Sequence, residues 1–207
     1  MNELTKEIEL LKQSKTKSII DNRIKEFKEI NRNSNDELFN EMCFCILTAN
    51  YNAEKTIRIQ NEIGNDFCDG SKELLCNKLK EYGHRFPNAR TEYILCSRMY
   101  KNKLDHIINN TNQKPLREWI VKNIKGLGLK ESSHFLRNIG FDDYGIIDFH
   151  IVDLLVKYNI IQRPKSLTKK KYLEIEETLR KIAEKTNLTL AELDLYLWYM
   201  ETGKILK

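Results

Sequence analysis

The chain of 207 residues contains no apolar run approaching the length that spans a bilayer, which argues against an integral membrane protein. Its opening, Met1-Asn2-Glu3-Leu4-Thr5-Lys6, lacks the basic flank and apolar stretch of a secretory signal, so a cytoplasmic setting is expected. No CxxC spacing occurs among Cys43, Cys45, Cys68, Cys76 and Cys96. An odd number of cysteines without metal-ligand spacing fits a reducing compartment and excludes a disulfide framework, leaving these side chains to act as small buried hydrophobes. Strand-like alternation persists nowhere, and there is neither an internal repeat nor a low-complexity tract.

What is present is ordinary for a globular protein: 41% hydrophobic residues, 31% charged residues and a formal charge of +5. The mild basic excess is compatible with a polyanionic partner without requiring one. The patterning is helical throughout. Leu4, Ile8 and Leu11 share a face, as do Ile20, Ile24 and Phe27. Ser34-Asn35-Asp36-Glu37 is a capping-box pattern opening an apolar segment, Leu38 to Ala49, expected as the core helix. Helices are expected over 53–63 and 71–82, closed by Gly64 and Gly83. Pro87 opens what reads as one long helix reaching towards Ile108. Segments 149–158 and 168–186 follow, and Thr189-Leu190-Ala191-Glu192 is a second capping box before a last helix that stops at Gly203. The fold class is all-α.

The segment that concentrates chemistry is Ile124-Lys125-Gly126-Leu127-Gly128-Leu129-Lys130. An amphipathic helix led by Pro115 precedes it, and Lys130 to Ile139 reads as a second helix stopped by Gly140. This is a helix-hairpin-helix, spanning about 115–139. Its glycines permit a tight turn and close approach of a ligand, and the following helix start presents unpaired N–H groups suited to phosphate. It is no P-loop, because no apolar strand precedes Gly126 and neither Ser nor Thr follows the lysine. A lysine in the first helical turn feels a field that disfavours its charged form, which is what an amine nucleophile requires. Asp148, within Ile146-Ile147-Asp148-Phe149-His150, is either the N-cap of the next helix or a working carboxylate, and the two roles are compatible.

The hairpin with Lys130, the Ile147-Asp148-Phe149-His150 run, Leu193-Asp194-Leu195-Tyr196-Leu197-Trp198-Tyr199 and the end Thr202-Gly203-Lys204-Ile205-Leu206-Lys207 together resemble the archaeal-type (type 2) 8-oxoguanine DNA glycosylase/AP lyases of the helix-hairpin-helix superfamily. The resemblance covers the whole chain. It implies two helical lobes flanking a cleft, one built from 1–35 and 141–207 and the other from 36–140. It also implies a monomer acting on double-stranded DNA containing 8-oxoguanine or abasic sites, in a prokaryotic, nucleoid-associated setting. Related endonucleases carry four cysteines after the aspartate for an iron–sulfur cluster. Here none follows Cys96, so no cluster and no other cofactor is expected.

By the same resemblance, Lys130 attacks the sugar of a flipped nucleotide and forms a Schiff base, and Asp148 supports the developing charge. Asp194 and Trp198, four apart on one helix face, suit a flipped purine as acceptor and stacking platform; the alternative is a solvated aspartate and a core tryptophan. His134 is placed on the other side of the base, or is a buried structural histidine. The Lys207 carboxylate would accept from the N7–H that distinguishes 8-oxoguanine, unless the tail simply frays. Gly126 and Gly128 N–H groups and His150 are expected on DNA phosphates. Arg85, Phe86 and Arg90, in the cationic, aromatic segment 84–90, are candidates for the wedge that fills the gap. Carbonyls of Lys122, Ile124 and Leu127 are candidates for a structural monovalent or calcium ion, with no catalytic metal. The rival readings are a glycosylase/lyase for oxidised pyrimidines, which needs a different base pocket, and a non-catalytic hairpin DNA-binding protein, which needs neither Lys130 nor Asp148.

Overall fold

A computed structural model describes residues 2–30 and 34–207, and among these no strand occurs. The chain forms two compact units: residues 1–28 with 140–207, and residues 29–139. The sequence placed its first division at 35/36, a region that includes residues 31–33, which lie outside the described residues. The second helix runs uninterrupted from Lys15 to Ile30, so the division falls within its last turn rather than after it.

The 29–139 unit is organised around α3 (Asn35–Thr48), following α1 (Asn2–Lys12) and α2 (Lys15–Ile30) in the chain. Ser34 caps α3, its hydroxyl accepting from the Glu37 N–H. From Leu38 onwards almost every side chain is buried, as a helix apolar on all faces requires. Each large side chain removed from water there contributes about 1.5–3 kcal/mol. Around it lie α4 (Ala53–Ile63), the short α5 (Asp66–Asp69), α6 (Lys72–Glu81), α7 (Pro87–Ser97), α8 (Leu104–Asn110), α9 (Gln113–Asn123) and α10 (Leu129–Asn138). In the other unit α11 (Phe149–Lys157) and α12 (Lys169–Thr186) both pack on α13 (Leu190–Thr202), and α1 packs on α12 and α13. The expected Thr189 capping box is present, with hydroxyl and carboxylate satisfying each other's backbone N–H groups.

The single helix expected from Pro87 to Ile108 is broken. It stops at Ser97, gives way to a 3-10 stretch over Arg98–Lys103, and resumes as α8. At the break the Arg98 N–H is shared between the carbonyls of Ile94 and Leu95, which tightens the coil. The Arg98 guanidinium is also drawn to the carbonyls of Phe67 and Asp66, and Asn35 accepts the Asp105 N–H at the start of α8. Met99, within the 3-10 stretch, is 69% exposed. The cysteines also divide. Cys43 and Cys45 are buried in α3, where burial pushes the Cys43 thiol well up, whereas Cys68 and Cys76 are half-buried and Cys96 is exposed.

The buried polar contact that locks α10 to α3 is Asn138 Nδ2 donating to Glu41 Oε1 at 2.6 Å, with Arg137 donating to Asn138 Oδ1 at 2.8 Å. Asn138→Ala leaves a buried carboxylate without that donor, so the urea unfolding midpoint is expected to fall by an amount equivalent to about 2 kcal/mol. An unchanged midpoint would mean the network contributes no net stability.

Candidate active site

Within the 29–139 unit, α9 and α10 form the hairpin. Leu116, Ile120, Ile124 and Leu127 are buried along one side and anchor it. Gly126 lies at φ +93°, a conformation strained for any residue with a Cβ. A Cβ there would also sit 2.5 Å from the Tyr93 ring, over which the Lys125 ammonium lies at 5.4 Å. The turn therefore rests directly on an aromatic face from α7. Gly128 is the N-cap of α10, and its N–H donates to Glu131 Oε2 at 3.3 Å. One of the two amides expected to face phosphate is thus engaged by a carboxylate of the same turn.

Lys130 is the second residue of α10 and is half-exposed, and from Ser132 to Asn138 every residue is buried against the core. The Lys130 amine is carried on the one turn of this helix that reaches solvent. His134, one turn further on, is buried with its ring edge-on to Phe44 at 5.7 Å. The expected ion donors, the backbone carbonyls of Lys122, Ile124 and Leu127, include no carboxylate, and such a set would suit a monovalent cation better than calcium. The Ile124 carbonyl already accepts a long bond from the Leu127 N–H at 3.3 Å. Among the described residues no group of three His, Cys, Asp or Glu is arranged to hold a metal.

The 84–90 segment departs from expectation. Arg90 is buried and donates to the Ala49 carbonyl at the end of α3, so it stabilises a helix C-terminus instead of facing a ligand. Burial is also the main cause that lowers its pKa. Arg85 is exposed and Phe86 half-exposed, with the Arg85 guanidinium 4.9 Å from the Phe86 ring.

The other unit carries the remaining candidates. Asp148 is the N-cap of α11, its Oδ1 accepting from the Ile151 N–H at 3.0 Å, and it remains partly exposed. The extended approach to it is fixed by α12. Tyr172 donates to the Gly145 carbonyl at 2.7 Å and accepts from the Ile147 N–H at 3.2 Å, while Glu176 accepts the Gly145 N–H at 2.9 Å. Asp143 and Arg180 form an ion pair at the start of the same segment. Asp194 and Trp198 are half-exposed on α13, flanked by the buried Leu193 and Leu195–Leu197. Asp194 lines a small, mainly apolar gap with Gly145, Ile146, Ile151 and Leu190. Trp198 meets the His150 ring edge-on at 5.3 Å; His150 stacks on the exposed Phe149 at 4.3 Å, and its Nδ1 lies 4.0 Å from Glu201. Lys207 is half-exposed in the coil after the left-handed Gly203.

The structure thus groups Gly126, Gly128, Lys130, His134, Arg85 and Phe86 in one unit, and Asp148, His150, Asp194, Trp198 and Lys207 in the other. Tyr93, Glu131, Tyr172 and Glu201 are contributors that sequence reasoning missed. Glu131 had a local signal, three residues after an N-cap position, obscured because the cap is glycine. Tyr93 and Tyr172 act over long chain separations and left none.

Comparison with known proteins converges on one family. A family model described as 8-oxoguanine DNA glycosylase matches residues 20–188. The chain is 55% identical to an 8-oxoguanine DNA glycosylase/AP lyase of Methanocaldococcus jannaschii over 99% of both chains. It is 43% identical to one of Thermotoga maritima, again over 99% of both. A crystal structure of the M. jannaschii enzyme in complex with 15mer DNA containing 8-oxoguanine superposes with a TM-score of 0.95, covering 99% of each chain. That of the T. maritima 8-oxoguanine DNA glycosylase gives 0.94 at 42% identity, covering 100% of this chain and 99% of that one.

Gly126→Ala is expected to destabilise the 29–139 unit by about 1–3 kcal/mol through left-handed strain together with the Tyr93 contact. Gly126→Ala combined with Tyr93→Ala should recover only the contact part relative to Tyr93→Ala alone. Full additivity of the two changes in a denaturation cycle would show that the turn does not rest on that ring.

Proposed function

The chain belongs to the 8-oxoguanine DNA glycosylase family, and from that premise we propose that it is a base excision repair glycosylase with AP lyase activity, using Lys130 as its nucleophile. The observation that carries the assignment is a half-exposed lysine on the first turn of α10, directly after a glycine turn held on Tyr93. In this reading the Lys130 amine, once deprotonated, attacks C1′ of the flipped nucleotide. Expulsion of the base leaves an aminal at C1′, opening of the C1′–O4′ bond with protonation of O4′ gives the imine to the lysine, and loss of a proton from C2′ then releases the 3′ phosphate by β-elimination. The family relatives named for 8-oxoguanine, one of them crystallised with DNA containing that base, support the same substrate for this chain.

Asp148 supplies the carboxylate that stabilises positive charge developing at the sugar. Its capping bond to Ile151 and the Tyr172–Glu176 hold on the preceding segment support that role, because they fix the group without neutralising it. Trp198 provides the stacking face for the flipped purine, with Asp194 accepting from its Watson–Crick edge and His134 and Lys207 completing the base site. His150 and the hairpin amides contact phosphates. Phosphate binding at Gly128 requires the Glu131 carboxylate to move off that N–H. Arg85 and Phe86 enter the gap left by the flipped nucleotide. A monovalent cation on the carbonyls of Lys122, Ile124 and Leu127 would orient the turn and take no part in chemistry.

Lys130→Gln is expected to abolish borohydride-trapped crosslinking and base release together. Asp148→Asn keeps the Oδ1 acceptor that caps α11, so it should slow single-turnover cleavage by at least about a hundredfold while changing duplex affinity little. Cleavage of 8-oxoguanine duplexes compared with thymine-glycol duplexes tests the substrate; faster thymine-glycol cleavage would transfer the assignment to oxidised pyrimidines. A Lys130→Gln protein that still cleaves at the wild-type rate would overturn the nucleophile.

A further inference from the structure

The 83–86 loop carries a side chain that is buried, titratable and unused by the chemistry above. His84 is 4% exposed. Its Nδ1 accepts the Phe86 backbone N–H at 3.1 Å, and its Nε2 lies 3.0 Å from the Leu47 carbonyl at the end of α3. An atom that accepts from an N–H carries no proton, and one that faces a carbonyl must carry one. The two contacts together therefore define a single neutral tautomer, protonated at Nε2. The loop is held at two further points. Tyr51 packs its ring on His84 at 4.3 Å and donates its hydroxyl to the Gly83 carbonyl at 2.9 Å. Arg90 reaches from α7 to the Ala49 carbonyl, and its backbone N–H donates to the Phe86 carbonyl.

We propose that His84 is the positioning residue of this loop, and that Phe86 is presented to DNA only while the His84 ring is neutral. This rests on the reading of Phe86 as the residue that enters the gap in the duplex. A second proton at Nδ1 would turn the acceptor of the Phe86 N–H into a donor, setting two N–H groups against each other. The Leu47 contact would survive, so the ring would stay anchored while the bond ordering Phe86 is lost. The groups facing the ring favour the neutral form. From α7 the Arg90 guanidinium opposes a nearby cation, and from the turn after α3 Tyr51 presents its ring face, its hydroxyl committed to Gly83. Burial is the largest cause lowering the imidazole from its ordinary 6.5; the Leu47 carbonyl opposes this and Arg90 reinforces it. Because the folded value lies below the unfolded one, loop order is complete above 6.5 and is lost as pH falls through the folded value.

Two measurements on the full chain test this. Nitrogen-15 NMR of the His84 ring should show the proton on Nε2 at neutral pH. The Phe86 amide resonance should then move with the same midpoint as the ring, below pH 6.5. A proton on Nδ1, or a Phe86 amide that ignores the titration, overturns the proposal whatever DNA does. In the second measurement, 2-aminopurine beside an abasic analogue reports insertion by its fluorescence. The wild-type signal should fall about tenfold on acidification through the ring's midpoint. His84→Gln, which can still reach Leu47, should show weak, pH-independent insertion with duplex affinity retained. A His84→Gln protein that keeps the wild-type pH profile refutes the role of His84. Undiminished fluorescence with Phe86→Ala instead refutes the wedge reading, and the NMR result still judges His84 separately.

Discussion

Everything at the hairpin depends on α10 being two helices in one: a half-exposed first turn bearing Lys130, and seven consecutive buried residues beyond it. The buried part is fixed by Ser132 and Ser133, small enough for close packing, and by the Asn138–Glu41 contact to the central α3. Because α3 is buried on nearly every face from Leu38 onwards, it cannot shift without opening the core, and α10 inherits that rigidity. The Lys130 amine is therefore carried on a flexible side chain from an inflexible base. That arrangement suits the proposed role, in which the amine must first reach a sugar and then remain attached to it.

If the hairpin amides hold phosphate as proposed, phosphate affinity and fold stability compete for the same backbone. A glycine at the cap removes the side chain that would otherwise satisfy the first N–H groups of α10, and Glu131 supplies one substitute. Its contact with the Gly128 N–H is long and lies at the exposed end of the helix, so a phosphate oxygen can replace it at small cost. The exchange also sets a like charge near the incoming phosphate. Net attraction to the duplex must then come from cations elsewhere on the surface, and it weakens as salt rises.

The parts that were legible in the sequence are those decided within four residues. Ser34, Thr168 and Thr189 cap helices where hydroxyl residues precede helical runs, and Gly203 closes the last helix in the left-handed region. Lys130, Asp148 and the shared face of Asp194 and Trp198 were legible for the same reason, since helix periodicity and caps fix them locally. What escaped is what long-range partners decide. The break after Ser97 depends on Arg98 being drawn to α5, thirty residues back, against a local pattern that favoured continuation. Arg90 read as a ligand cation because composition does not reveal that the end of α3 leaves carbonyls for it.

Asp148 makes the same point in the opposite direction. The sequence allowed capping and a working carboxylate together, and the cap indeed uses one oxygen of the carboxylate and leaves it partly exposed. The bond to the Ile151 N–H also fixes where the carboxylate sits at the start of α11. The direction of that carboxylate, however, is set by Tyr172 and Glu176, which hold the chain three residues ahead of it. Tyr93 does the equivalent for the hairpin turn. In each case a short motif supplies the functional group and a remote side chain supplies its orientation. A hairpin glycine pair with a lysine is therefore compatible with many proteins, whereas the same motif with its supporting side chains in place is far more restrictive.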